Sequence, residues 1–164
     1  MAEAMNSSEE WPGVDLAFGF VIPSYQWIIT RFEAVDSRIQ TLQAFIATMT
    51  FAFPAIATTL SESIQFRSPW FVAALVVAAI AVVCGVIGRS WGGIVVCSPE
   101  TLYEKWLGKS EWTFKKDMVY FAGQHFAANT RLINIKGRIV VGMTILFLCE
   151  TGLLLRWIIS SFRQ

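Results

Sequence analysis

The chain of 164 residues is 55% hydrophobic, has a mean hydropathy of +0.54 and carries a net charge of only +1. Only 15% of its residues are charged, against roughly 25% in soluble domains, so the composition argues against a soluble domain and favours a membrane protein. The three cysteines have neither the spacing of a disulfide framework nor that of a metal site, and we predict inert thiols and no cofactor.

An N-terminal segment, residues 1–23, is predicted to precede the first helix. Its first residues, MAEAMNSSEEWPG, are acidic and polar, the reverse of a secretory signal, so we expect no cleaved signal peptide and a mobile start. The following run, VDLAFGFVIP, is apolar but has only ten residues, too few to cross a bilayer.

Residues 24–88 are predicted to form an amphipathic helix that leads into a transmembrane hairpin. Pro23-Ser24 is typical of a helix start, and apolar residues then recur at helical spacing. The spans lie at about residues 41–60 and 70–88, each with the roughly 20 apolar residues that a bilayer requires, and the linker SESIQFRSP is short. Pro54 is expected to kink the first span. An unbroken helix over residues 24–60 would measure about 55 Å, longer than the hydrocarbon core is thick.

Residues 89–138 form a connector with two predicted helices. Ser98-Pro99-Glu100 indicates a helix start, Gly108 indicates its end, and Ser110 caps a longer helix. Along that helix, apolar residues recur at spacings of four and three, as in a coiled coil, and this seam requires a partner helix. The seam is formed by Phe114, Met118, Phe121, His125, Ala128, Leu132 and Ile135. We expect His125 to be a packed residue rather than a ligand.

A third span is predicted at about residues 139–159, in a last segment of residues 139–164. The connector holds eight of the 13 Lys and Arg residues, whereas the hairpin linker holds only Arg67. By the positive-inside rule, the connector and the N-terminus are cytoplasmic and the C-terminal tail lies on the far side. The predicted fold class is an all-α membrane protein, with three transmembrane helices and amphipathic cytoplasmic helices assembled as a homo-oligomeric bundle.

Glu150 lies near the middle of the third span, in the run ILFLCETGLLLRW. A charge there is costly, so an intramembrane carboxyl is by default a functional candidate. One interpretation is a protonated or hydrogen-bonded group that only contributes to packing. The other is a role in a pore, a gate or a subunit interface. Arg156 is six residues further on and faces another side of the helix, so it is a poor partner within the same helix.

The threonines of the first span offer two interpretations as well. Hydroxyl groups can join membrane helices by hydrogen bonds, or they can line a path for cations together with the Glu150 carboxyl. One copy of three spans cannot enclose such a path, so a pore requires a homo-oligomer. The residues predicted for a pore or gate are Glu150, Thr48, Thr41 and Thr151.

One side of the longer connector helix gathers cations, amides and a tyrosine. This side could simply face solvent or lipid headgroups. It could also bind a nucleic acid or nucleotide, with Lys and Arg neutralising phosphates and Tyr stacking on a base. The residues predicted for ligand binding are Lys115, Lys116, Tyr120, Gln124, Arg131, Asn134, Lys136 and Arg138.

The stretch SYQWIITRFEAVDSRIQTLQAFIATMTFAFPA joins a cytoplasmic amphipathic helix to a threonine-rich span. It resembles the small multi-span membrane effectors of bacterial anti-phage systems, such as the Pycsar transmembrane effectors. The layout is most similar to the Hailong transmembrane effectors, with an early hairpin, a charged helical section and one last span. The likeness covers mainly residues 24–60 in sequence and the rest in layout only.

This resemblance implies a homotetrameric ion channel in the bacterial inner membrane that acts in abortive infection. A partner nucleotidyltransferase would make the signal, a single-stranded DNA oligomer or another nucleotide, and binding of a DNA oligomer would hold the channel closed. We expect no enzymatic activity, because no catalytic signature is present. Two alternatives remain from the residues themselves: a membrane-anchored scaffold that recruits a soluble partner, and a small proton-coupled transporter subunit.

Overall fold

A computed structural model describes residues 11–60 and 66–162 of the chain, and these residues form four α-helices and no strand. The helices are α1 (Val14–Leu60), α2 (Pro69–Ser90), α3 (Pro99–Trp106) and α4 (Glu111–Ser161). The all-α class is therefore confirmed for this part of the chain. The predicted mobile start, residues 61–65 of the hairpin linker and the last two residues of the tail lie outside the described residues. Three helices, α1, α2 and α4, are long and apolar enough to cross a membrane.

Helix α1 is longer than the sequence predicts. It begins at Val14 rather than near Ser24, and it continues without a break through Pro23 and Pro54. A proline removes one backbone hydrogen bond and its ring crowds the carbonyl four residues earlier. At the start of α1, packing of the first turns favours the helix nonetheless, since the Phe18 and Phe114 rings are 6.3 Å apart. Helix α1 has 47 residues.

The chain divides into two compact units, and α1 and α4 each contribute to both. We call residues 11–32 and Gly93–Ile133 the connector unit, and the described residues of Glu33–Gly92 and 134–162 the three-helix unit. In the three-helix unit, α1, α2 and α4 share an apolar core that includes Ile39, Ile46, Ala78, Ala81 and Met143. A second cluster contains Ala57, Ala74, Leu154 and Trp157.

Glycines bring α2 close to its neighbours in the three-helix unit. A Cβ atom at Gly88 would lie 3.0 Å from Ile139 and 3.3 Å from Ile39, and one at Gly85 would lie 2.6 Å from the Gln43 side chain. Gln43 Nε2 in turn donates a hydrogen bond to Val82 O at 3.3 Å. Small residues that permit such close approach are typical of membrane helix interfaces, where van der Waals packing replaces the hydrophobic effect.

Helices α1 and α4 run parallel in the three-helix unit, in a fixed register. Asp36 contacts Lys136 and Thr50 contacts Glu150, so the offset is 100 residues in both pairs and the pairs are 14 residues apart. In the connector unit, Asp15 contacts Lys115 at the same offset. On α4, the inward positions recur every seven residues, as in a coiled coil. This column consists of Lys115, Ala122, Asn129, Lys136, Met143, Glu150 and Trp157.

The connector unit holds an extended segment after α2 against its helices. The Asn129 amide accepts a hydrogen bond from Val95 N at 2.9 Å and donates one to Val95 O at 3.1 Å, and Tyr25 also donates to Val95 O. The predicted helix starts are present, since Ser98 accepts from Thr101 N and Ser110 accepts from Thr113 N.

The predicted apolar seam of the longer connector helix is not the side that is most buried. Its residue Ala128 is exposed, whereas Ala122, Asn129 and Ile133 are buried. An asparagine can take this inward position because both groups of its amide are hydrogen-bonded. His125 packs on Phe121, with 4.5 Å between the ring centroids.

Candidate functional site

Glu150 lies inside the three-helix unit rather than on its surface. Its side chain is only 1% exposed, and its Oε1 atom is 2.5 Å from Thr50 Oγ1 on α1. Its second oxygen, Oε2, is buried and has no hydrogen-bond partner among the described residues. Arg156, the nearest cation along the helix, instead lies over the Trp70 ring at 5.5 Å. The hydrogen-bond partner of Glu150 is therefore Thr50 of the same chain.

The hydrogen bonds of Thr50 bear on the charge of Glu150. The Thr50 hydroxyl is 2.8 Å from Ile46 O and 2.5 Å from Glu150 Oε1, but it has one proton to donate. Because a carbonyl oxygen can only accept, a protonated Glu150 that donates to Thr50 allows two full hydrogen bonds, whereas a carboxylate would have to share the one Thr50 proton with Ile46 O. A neutral carboxyl also costs far less in a low-dielectric core than a carboxylate. The arrangement is satisfied by a neutral Glu150.

The other three residues predicted for a pore or gate do not join Glu150. Thr41 and Thr48 are exposed on α1, and their hydroxyls donate to Ser37 O at 2.9 Å and Ala44 O at 2.8 Å. Thr151 is half-buried and donates to Phe147 O at 2.9 Å. Each hydroxyl is thus satisfied by its own helix, and its lone pairs remain able to accept from water.

The outward surfaces of α1 and α2 in the three-helix unit both expose apolar residues, on α1 Phe45, Phe51 and Ile56, but only α1 also exposes hydroxyl groups. Along α1, six exposed small residues fall within about 60° of one another at 100° per residue, and we call them the small-residue stripe. The stripe consists of Ser37, Thr41, Ala44, Thr48, Ala55 and Thr59. The exposed residues of α2 between positions 72 and 87 are all aliphatic and carry no hydroxyl: Val72, Leu75, Val76, Ala79, Ile80, Val82, Val83, Val86 and Ile87.

Four of the predicted ligand-binding residues lie at the surface of the connector unit. Tyr120, Gln124 and Arg131 are exposed, and Gln124 Nε2 donates to Tyr120 Oη at 2.6 Å. Lys116 is half-buried, with its Nζ atom 5.5 Å from the Trp11 ring centroid and 5.2 Å from that of Trp112. In the three-helix unit, Asn134 and Arg138 are also exposed.

Two predicted ligand-binding lysines are engaged in ion pairs instead. Lys136 is completely buried in the three-helix unit, where its Nζ atom is 2.8 Å from Asp36 Oδ1. Lys115 contacts Asp15 at 2.8 Å and Glu111 at 2.6 Å, and hydrogen bonds to these two carboxylates raise the pKa of Lys115. Both lysines belong to the inward column of α4, so neither shares the exposed side with Arg131.

A pocket of about 710 Å³ opens on the connector unit between the start of α1 and the first turns of α4. Its walls come from Trp11, Pro12, Gly13, Val14, Ala17, Lys116, Asp117, Val119 and Tyr120. Asp117 is paired with Lys109 at 2.5 Å. Two of the residues predicted for ligand binding, Lys116 and Tyr120, therefore border a concave site as well as an exposed helix face.

Comparisons of the chain with models of protein families, with curated proteins and with solved structures gave no match. Within residues 11–60 and 66–162, no three His, Cys, Asp or Glu side chains are grouped as a metal site would require.

The partners of the candidate residues could not be predicted from the sequence. Thr50 is one of many threonines in the first span, and only the packing of α1 against α4 makes it the partner of Glu150. A seven-residue repeat along α4 marks the side of the helix that packs inward. That repeat was hidden because its members include Lys, Asn and Glu, which a search for apolar periodicity does not count.

Proposed function

We propose that the protein is a pore-forming membrane protein in which several copies assemble with the small-residue stripe of α1 facing a shared ion path. The observation that carries this proposal is the contrast between α1 and α2. The exposed side of α2 is a continuous aliphatic surface that suits lipid, whereas the exposed side of α1 carries the hydroxyls and small side chains of the stripe beside Phe45, Phe51 and Ile56. Small and hydroxylated residues suit close helix contacts or water rather than acyl chains.

The path is formed by copies of the chain, because three helices packed around their own apolar core enclose no aqueous route. We propose a closed ring, with four copies as the working number. Thr41 and Thr48 line the path in this arrangement, while Glu150 lies one layer behind it, bonded to Thr50. Glu150 then acts on the pore by holding α1 against α4, and its neutral carboxyl carries no charge into the path.

The gate responds to a ligand at the connector unit in this proposal. Support comes from the exposed Arg131 and Tyr120, which suit a phosphate and a base. We propose that the connector lies on the cytoplasmic side of a bacterial inner membrane and binds a nucleic-acid signal from a partner nucleotidyltransferase, with DNA oligomers favouring the closed state. Its role in anti-phage defence is proposed from the resemblance of residues 24–60.

Cysteine accessibility tests the pore. In a background without Cys84, Cys97 and Cys149, Thr48→Cys should react with a water-soluble thiol reagent in membranes, and the reaction should block conductance in reconstituted bilayers. Ile80→Cys is the matched control, because Ile80 is exposed on α2 at a similar level, where Gln43 and Val82 are in contact. It should not react. Equal reactivity at the two positions would sink the assignment of α1 to the path.

A scaffold function is the second candidate, and one observation favours it. In the connector unit, α1 exposes Leu16, Phe20 and Trp27 within about 40° of one another, an apolar surface that a soluble partner could cover. A scaffold predicts no conductance in bilayers and a stable complex whose formation is lost in Phe20→Glu. Conductance that persists in Phe20→Glu with the purified protein alone would exclude the scaffold as the sole function.

A further inference from the structure

The pocket of the connector unit combines an apolar body with few polar groups at its border. Trp11, Pro12, Val14, Ala17 and Val119 supply most of its walls. At about 710 Å³, it is within the roughly 300–1,000 Å³ of sites that bind small molecules. A ligand that fills this space gains mainly from burying apolar surface.

The two charged residues at the border of the pocket, Asp117 and Lys116, differ in whether a counter-ion lies beside them. Asp117 has its counter-ion in Lys109 at 2.5 Å. Lys116 has no carboxylate partner among the described residues, and its ammonium group lies instead near the faces of two indole rings. Contact with aromatic faces partly desolvates a cation but leaves its hydrogens able to reach an anion. Among the residues that the structure describes, the pocket therefore presents one positive charge without a matching negative one.

Tyr120 adds a second donor. Its Oη atom already accepts a hydrogen bond from Gln124 Nε2 at 2.6 Å, so the hydroxyl proton remains available to donate. Lys116 and Tyr120 are four residues apart on α4, on the same side of the helix and at the border of the same pocket. Two donors beside an apolar space match a single small anionic group.

We propose that this pocket binds an amphipathic anion, an alkyl chain that ends in a carboxylate or a phosphate. The chain would lie along Trp11, Ala17 and Val119, and the anionic end would contact Lys116 and Tyr120. A mononucleotide fits less well, because its ribose and base edges need several hydrogen-bond partners that these walls do not supply. The site does not depend on conduction, so binding and pore formation are separable properties.

Photo-crosslinking with a diazirine analogue of dodecanoate tests the site, using the full chain in nanodiscs and mass spectrometry to map the label. We expect saturable labelling within residues 11–17 and 116–120. Unlabelled dodecanoate should compete at least about tenfold better than dodecanol, because the neutral alcohol lacks a charge-assisted bond. Stronger competition by short-chain phosphatidate than by dodecanoate would assign the site to a membrane lipid, and the reverse to a free fatty acid.

Two variants sharpen the test. Ala17→Trp should fill the pocket and abolish the saturable label, whereas Gly19→Trp adds the same bulk at an exposed position outside the pocket and should not. Lys116→Met keeps an unbranched chain, so it should retain labelling but lose the preference for dodecanoate over dodecanol. Labelling spread over α2 without saturation, unchanged labelling in Ala17→Trp, or stronger competition by a mononucleotide would each overturn the proposal.

Discussion

Glu150 lies in the buried middle of an apolar helix. A carboxyl group is tolerated there only if it is neutral and its polar atoms have hydrogen-bond partners or a low cost of burial. Thr50 Oγ1 lies 2.5 Å from Glu150 Oε1 and 2.8 Å from Ile46 O, so a protonated Glu150 can donate to Thr50 while Thr50 donates to Ile46 O; Oε2 is then a neutral, buried carbonyl oxygen. A neutral oxygen without a partner costs about 1–3 kcal/mol, far less than an unpaired carboxylate. The residue is therefore compatible with a packed core.

Replacing Thr50 by Val removes the partner of Glu150 and keeps the shape of the side chain. We expect the free energy of unfolding to fall by about 1–3 kcal/mol, because the buried carboxyl then has no hydrogen-bond partner. In Glu150→Gln the free energy of unfolding should fall by less, since the glutamine amide can still donate to Thr50. Thermal unfolding of the purified protein in detergent measures both. Thr48→Val is the matched control, because its hydroxyl bonds only its own helix; equal losses at positions 48 and 50 would contradict the assignment.

Asn129 allows a second test at the scale of one residue. Its amide both accepts from and donates to Val95, and an aspartate can only accept. Asn129→Asp should therefore place a carboxylate oxygen against Val95 O and lower the free energy of unfolding by about 1–3 kcal/mol. Asn134→Asp, on the exposed side of α4, is the control and should change little. Thermal unfolding again provides the measurement, and an unaltered Asn129→Asp would show that the amide pair is not needed.

At the scale of elements, apolar length and capping residues predicted more than periodicity did. The three long apolar helices and the caps at Ser98 and Ser110 follow from local chemistry, and the structure contains them. The predicted start of α1 at Pro23-Ser24 was wrong. A proline in a sequence suggests a helix boundary, but α1 begins at Val14 because its first turns pack on α4. The predicted apolar seam lies one position before the inward column of α4. That column includes the polar residues Lys136, Asn129 and Glu150, which a search for apolar residues does not count.

The approach of α2 to its neighbours gives a prediction for one element. Gly88→Val should lower the free energy of unfolding by about 1–3 kcal/mol, because a Cβ atom at that position already lies 3.0 Å from Ile139 and branching adds further overlap. Gly142→Val, on the exposed side of α4, has open space around its Cβ position and should be tolerated. Resistance to denaturation by added sodium dodecyl sulfate compares the two, and similar curves would mean that α2 packs less closely than described.

At the scale of the whole molecule, the proposed function requires the exposed cations to bind and the stripe of α1 to conduct. Neither property can be predicted from composition, since a net charge of +1 conceals where the cations lie. The exposed Arg131 and the buried Lys136 differ by five positions on one helix, yet only Arg131 is open to a phosphate.

Charge reversal at Arg131 tests the ligand. Arg131→Glu should weaken the binding of a single-stranded DNA oligomer to the full chain in nanodiscs by about tenfold or more at low salt. It should also reduce the slope of log K against log salt concentration by about 0.7 if one phosphate contact is lost. Fluorescence anisotropy follows both quantities. Lys105→Glu, on α3, is the control with the same charge change, and equal effects of the two variants would point to a diffuse field rather than a site.

The repeat of seven along α4 has a consequence for how the protein can move. If α4 slid along α1 by seven residues, Lys136 would lose Asp36 and meet Gln43 or Ile29, and Glu150 would meet Ala57 or Gln43 in place of Thr50. In either direction both buried polar groups would lose their present contacts, and one of the two would face an apolar residue, Ala57 or Ile29; polar positions of this kind set the register of paired helices. Sliding is thus closed to the three-helix unit as a route between states. Any opening there must proceed by rotation or bending of helices that keep their register.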